Sequence, residues 1–213
     1  MAVGGSEKGD AMAGLSFKRR SGVSFEAPAG AKLVLHVGCG PPDHTSLHES
    51  FRGPDWHEVR LDVDPGVKPD VVASITDMSP VPSGSVDAVY SHHNIEHVFF
   101  HEVPLVLSEF LRVLRPGGEV LIATPDLQEV AEAVAAGRLE TTLYRAPAGD
   151  IAALDVVYGL RSDIESGREY MAHRTGFTLR TLARKLNQAG FADVQVIRDN
   201  RYALWARGRR PAG

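Results

Sequence analysis

The 213-residue chain contains one cysteine, Cys39, so no disulfide can form within it. A lone thiol suits a reducing, cytoplasmic setting. There is no long run of Lys and Arg: 23 basic residues are interspersed among 27 acidic ones, for a net charge of −4. No broad electropositive surface of the kind that holds nucleic acid is therefore expected. No charge-free apolar stretch approaches the ~20 residues that span a bilayer. The opening residues, MAVGGSEKGDAMAGLSFKRRSG, lack the apolar core of a secretory signal. No membrane partner is expected. No internal repeat occurs either. The 43% of hydrophobic residues suffices for the core of a single domain with extra segments.

Residues 1–28 are rich in Gly, Ser and Ala and read as a flexible leader, and the C-terminal RGRRPAG (207–213) reads as a solvated end, with the tail set at 209–213. Between them, strand-like and helix-like segments alternate. KLVLHV (32–37) is almost continuously apolar, the mark of a strand buried on both faces. Further strands are read at 57–63, 69–75, 85–91 and 119–125. VPLVLSEFLRVL has apolar residues at helical spacing and stops at RPGG; LQEVAEAVAAG is a second helix. TLRTLARKLNQAG is a third, with Thr178 as N-cap and Gly190 as stop, and residues 193–208 read as a closing hairpin. This alternation predicts an α/β fold with a mostly parallel sheet covered on both faces.

Such a sheet binds ligands at the carboxyl ends of its strands, where the strand order reverses. The first of these strands ends in Gly38-Cys39-Gly40, where glycine permits positive φ and lets a ligand lie against the main chain. A dinucleotide fingerprint would place its third glycine at position 43. That position is Asp, and Pro41 and Pro42 precede it. A carboxylate there repels phosphate and could pair with an amino group, which favours a nucleoside with an amino-acid tail over a nicotinamide or flavin dinucleotide. In RLDVDP, Asp62 can accept hydrogen bonds from ribose hydroxyls, and Asp64 is expected to point to the other face. In SITDM, Asp77 can take an adenine amino group and Met78 can cover the ring.

Taken together, VLHVGCG, VRLDVDP, SITDM, SVDAVYSHHNIEHV and EFLRVLRPGGEVLIATPDL resemble the ordered motifs of class I S-adenosylmethionine-dependent methyltransferases. More narrowly, they resemble the small bacterial single-domain, type 11-like branch. The likeness covers about residues 32–125 and continues more weakly through about 207. It implies a Rossmann-like, doubly wound, seven-stranded sheet with an antiparallel last strand and helices on both faces, over residues 29–208. It implies S-adenosyl-L-methionine as cofactor. Gly38 and Gly40 would approach its methionine part, with Cys39 a small filler between them. Asp62 and Val63 would serve the ribose, Asp77 and Met78 the adenine, and His93 and Asn94 the reactive end. Pro41-Pro42 depart from the family's loop, which often has a third Gly or a small residue there.

SHHNIEHVFFHE follows the fourth of these strands and is rich in His and Glu. His93, His97 and His101 have i, i+4 spacing and could share a helical face as metal ligands. The intervening Val-Phe-Phe and the lack of His-Glu-x-x-His weigh against that, and no metal is expected. Methyl transfer is an in-line displacement that needs alignment and, for some acceptors, a base titrating near neutrality. His97 matches the histidine position of the family motif and is the expected base, with Glu96 as its partner. Residues 138–177 interrupt the alternation. They are expected to form a lid and acceptor pocket using Tyr144, Tyr158, Arg161, Tyr170, His173 and Arg174; the same tract could equally build a homodimer interface. The expectation is a methyltransferase acting on a small polar acceptor. A catalytically inactive module that only binds the cofactor is the rival reading.

Overall fold

The computed structural model describes residues 18–20, 23–42 and 47–213. Asp43, which carried part of the argument against a dinucleotide, lies outside the described residues, as does most of the leader. Eight strands form the main sheet: β1 (Lys18–Arg19), β2 (Lys32–Val37), β3 (Trp56–Asp62), β4 (Val71–Val72), β5 (Val86–His92), β6 (Leu114–Pro125), β9 (Ala192–Arg198) and β10 (Ala203–Arg209). Their spatial order is β1-β4-β3-β2-β5-β6-β10-β9. Strands β2 to β6 run parallel, β10 is antiparallel to both neighbours, and β1 is antiparallel to β4. The sheet is thus mostly parallel and doubly wound, as expected, with one short edge strand more than seven. That edge strand comes from the segment read as leader, and Phe25 from the same segment packs into the core.

The strand order reverses between β3 and β5 on either side of β2, which places the switch point at Gly38. The continuous apolar run of β2 is explained by its central place: five of its six residues are buried. Leu33, Leu35 and Val37 pack into the main core with α1 (Val103–Val113) and α5 (Leu179–Ala189). Thr178 caps α5 through the Thr181 N–H, and Gly190 ends it at φ +98°. Val34, Ala88 and Tyr90 face the other way, under Leu47 and Phe51. The β2–β3 connection on this face contains Pro41, Pro42, Gly53 and Pro54, and among its described residues forms only the 3-10 turn Glu49–Phe51. Among the described residues no helix is long and apolar enough to cross a membrane.

The region after β6 forms a cap with its own small core. It comprises α2 (Leu127–Ala135), the hairpin β7 (Thr142–Ala146) and β8 (Gly149–Ala152), α3 (Ala153–Tyr158) and α4 (Arg161–Glu165). Val130, Ile151, Ala153 and Val156 pack together there. The C-terminal arginines are structural rather than a loose tail. Arg209 ends β10, and the Arg210 guanidinium donates to the carbonyls of Leu111, Arg112 and Leu114 where α1 passes into β6.

Asp87 ties three central strands: its carboxylate accepts the Leu33 N–H at 2.8 Å and pairs with Arg115 at 2.6 Å. The Arg115–Gly118 turn passes against this corner, and a Cβ on Gly118 would lie 2.9 Å from the carbonyl oxygens of both Asp87 and Arg115. Gly118→Ala should therefore lower stability by about 1–3 kcal/mol through overpacking. Urea unfolding should show a lower midpoint with an unchanged slope.

Candidate functional site

A cavity of about 330 Å³ opens beside the turn that follows β2. Gly38 and Gly40 both adopt left-handed backbone there, at φ +63° and +61°. A Cβ on Gly38 would sit 2.5 Å from Asn94 Cγ, so only glycine lets Asn94 lie over the turn. Gly40 is held from both sides of its peptide groups: its N–H donates to Asp62 Oδ2 at 2.9 Å, and Arg60 donates to its carbonyl. Asp62 Oδ1 accepts the Asp64 N–H at 2.9 Å. One carboxylate thus joins the glycine turn to the loop after β3, and each oxygen keeps accepting capacity for a ligand. Cys39 is buried, and burial, followed by the nearby Asp62 charge, pushes its thiol up to about 12. It is an inert filler.

Other side chains depart from expectation. Asp77 and Met78 do not line the cavity; Ser74 and Ile75 do. Asp77 is exposed and accepts the Ser79 N–H, while Met78 is fully buried in the core. Glu109 accepts the Met78 N–H at 2.7 Å and Arg112 donates to its carbonyl at 2.9 Å, so α1 pulls this loop away from the cavity. Asp64 lies on the cavity with Asp62 and Val63, not opposite them: residues two apart along a strand share a face, and the chain leaves β3 at Asp62. His93, Asn94 and His97 form the far end. His93 has φ +47°, an uncommon conformation for a residue with a side chain. The buried Asn94 Nδ2 has no hydrogen-bond partner among the described residues, which leaves a free donor in the wall.

A second cavity, of about 420 Å³, shares His93, His97, Asp163 and Met171 with the first. Tyr144 and His173 line it together with Trp205 and Asp199, which sequence reasoning did not find. The remaining candidates from 138–177 fall elsewhere. Tyr170 and Arg174 line the first cavity, where the Tyr170 O–H donates to Asp64 Oδ2 at 3.2 Å and Arg174 lies over the Phe99 ring. Tyr158 is 61% exposed. Arg161 is held by Asp155 at 2.7 Å and lines neither cavity. His101 is separated from His93 and His97 as well. The chain makes only the 3-10 turn Ile95–His97 before α1 begins at Val103, so the three histidines share no helical face.

Residues 35–122 match the family model described as a methyltransferase domain. Over that stretch the chain is similar to a methyltransferase domain. No curated protein matches it in sequence. Among solved structures, a SAM-dependent methyltransferase of Methanosarcina mazei is 15% identical, with 87% of this chain and 95% of that one aligned at TM-score 0.56. A "possible exported protein" of Bordetella parapertussis is 17% identical over 85% of this chain and 62% of its own, at TM-score 0.55. The 1,6-didemethyltoxoflavin-N1-methyltransferase of Burkholderia thailandensis, solved with its substrate and S-adenosylhomocysteine, is 16% identical over 85% and 72%, at TM-score 0.52. At these identities the likeness is one of fold.

Behind His93, which lines both cavities, lies a buried carboxylate. Glu96 Oε1 accepts from His93 Nδ1 at 3.1 Å, and Oε2 accepts from Thr124 Oγ1 at 3.0 Å. Burial opposes its charge, but the His93 hydrogen bond, with His93, His97 and His173 around it, holds Glu96 down at about 2. Burial also disfavours the charged form of His93, yet its bond to Glu96 raises it above 6.5. Ligating atoms of Glu96, His97 and His173 lie within 4.8 Å of one another. Both Glu96 oxygens already accept hydrogen bonds, and each His97 nitrogen faces a carbonyl: Ala172 O at 3.3 Å and His93 O at 3.2 Å. Within the described residues the contacts of this cluster are hydrogen bonds. Because Glu96 titrates lower in the folded chain, its contribution to stability is present above pH 4.5 and is lost as pH falls towards 2. The His93 contribution is full below pH 6.5 and is lost as pH rises through its raised folded value. Glu96→Gln should thus destabilise most between pH 4.5 and 6.5 and progressively less outside that window, as read by urea unfolding across pH.

Proposed function

We propose that the first cavity binds S-adenosylmethionine and that the chain transfers its methyl group to a small polar acceptor held in the second. One observation carries this reading: the two cavities meet at His93, His97 and Met171, with the glycine turn and Asp62 at the opposite end of the first. The residues present fit the cofactor. Gly38 to Gly40 lets a ligand lie on main chain, Asp62 offers a carboxylate for vicinal hydroxyls, and Asn94 offers an unused donor. When bound, the cofactor supplies an activated methyl on a sulfonium, open to in-line displacement. The chain's part is alignment, worth about 7–11 kcal/mol in favourable cases. His97 is placed at the junction to orient the acceptor. Tyr144, Trp205, Asp199 and Arg201 give the second cavity aromatic walls and charges of both signs, suited to a polar ring-bearing molecule.

Calorimetric titration with S-adenosylhomocysteine tests the cofactor site. The wild-type chain should bind it and ignore NADH. Asp62→Asn should weaken binding by about 10–100-fold, as expected for loss of a charged hydrogen-bonding partner. Release of S-adenosylhomocysteine across a panel of phenols and hexoses would establish turnover. Binding with no turnover on any polar acceptor would favour a non-catalytic binding module.

A further inference from the structure

His97, the base expected from the motif, has neither ring nitrogen clear of a carbonyl oxygen. His173 differs. Its Nδ1 lies 2.8 Å from Val156 O, which calls for an N–H at that nitrogen and leaves Nε2 as a lone-pair acceptor. Its ring lines the second cavity, with its centroid 5.0 Å from that of His97 at the junction. Main-chain contacts fix its position. The His173 N–H donates to Tyr158 O, and the next two N–H groups, of Arg174 and Thr175, both donate to Glu96 O. Gly159, at φ +99°, lets Met171 O come so close that a Cβ would sit 2.3 Å from it. The Glu96 carboxylate is within 4.8 Å of the histidine nitrogens.

Resting on the methyl-transfer reading, we propose that His173, not His97, is the catalytic base, that the acceptor group is a hydroxyl, and that Glu96 is a positioning residue behind it. In this step the hydroxyl oxygen forms a bond to the methyl carbon. The carbon–sulfur bond breaks and its electron pair stays on sulfur, giving a neutral thioether. The hydroxyl proton passes to His173 Nε2, and the resulting imidazolium faces the Glu96 carboxylate before releasing the proton to water. Burial lowers the His173 pKa, so the ring is neutral and ready at pH 7. The charged and titratable groups around it are Glu96, His97 and His93 from the β5–α1 connection, Asp155 of α3 held by Arg161, and its neighbour Arg174.

Two arms test this. The first needs no acceptor: diethyl pyrocarbonate, which attacks neutral imidazole nitrogen, is applied to the wild-type chain and each histidine is followed by peptide mass spectrometry. His173 should react about tenfold faster than His97, with a pH midpoint below 6.5. Faster reaction at His97, or an unreactive His173, would overturn the proposal. In the second arm, on any phenol or hexose that turns over, His173→Gln should cut kcat by about 10²–10⁴-fold and abolish the acidic limb of the pH profile. Its affinity for S-adenosylhomocysteine should stay within about twofold of wild type. Equal losses in kcat and cofactor affinity would make His173 a structural residue and overturn the proposal. A wild-type chain that does not bind S-adenosylhomocysteine would instead overturn the methyl-transfer reading beneath it.

Discussion

The site depends on one buried negative charge. Glu96 has 1% of its surface exposed, and an isolated carboxylate at such a depth would cost several kcal/mol. It is tolerated because His93 and Thr124 donate to its two oxygens. Its main-chain carbonyl takes two more donors, from Arg174 and Thr175. A single residue thereby joins the end of β5, the end of β6 and the segment that returns from the cap. Removing the charge would disturb the orientation of His93, while the returning segment stays on the main-chain carbonyl.

The cofactor end obeys the same logic with a different carboxylate. Asp62 binds the Gly40 and Asp64 amides, while Arg60 secures the Gly40 carbonyl, so the turn keeps a left-handed shape that exposes main chain to a ligand. Asp62 lines one end of the first cavity, and His93, held by Glu96, lines the other and borders the second.

Much of the sheet was legible in the sequence because a strand buried on both faces must be apolar along its whole length, as β2 is, and because RPGG and Gly190 mark ends that only special backbone can make. Gly38, Gly40 and Asp62 were legible for a related reason: they sit where a parallel sheet must open. Asp77 and Met78 were misplaced because their position is decided by Glu109 and Arg112 on a helix some thirty residues away, a tether that local pattern does not reveal. Asp64 was misplaced because residues two apart along a strand share a face rather than oppose each other. The hairpin of β7 and β8, the edge strand β1 and the Arg210 cap all depend on long-range pairing. The candidate base shifted from His97 to His173 because only three-dimensional contacts show which ring nitrogen is already spent.

The most direct measurement is a crystal structure of the chain with S-adenosylhomocysteine. The ligand should lie along Gly38 to Gly40 with its ribose hydroxyls on the Asp62 carboxylate and its sulfur turned towards the opening between His97 and His173. A nucleoside bound away from Asp62, or a sulfur facing bulk solvent with the second cavity closed off from it, would contradict this arrangement of the site.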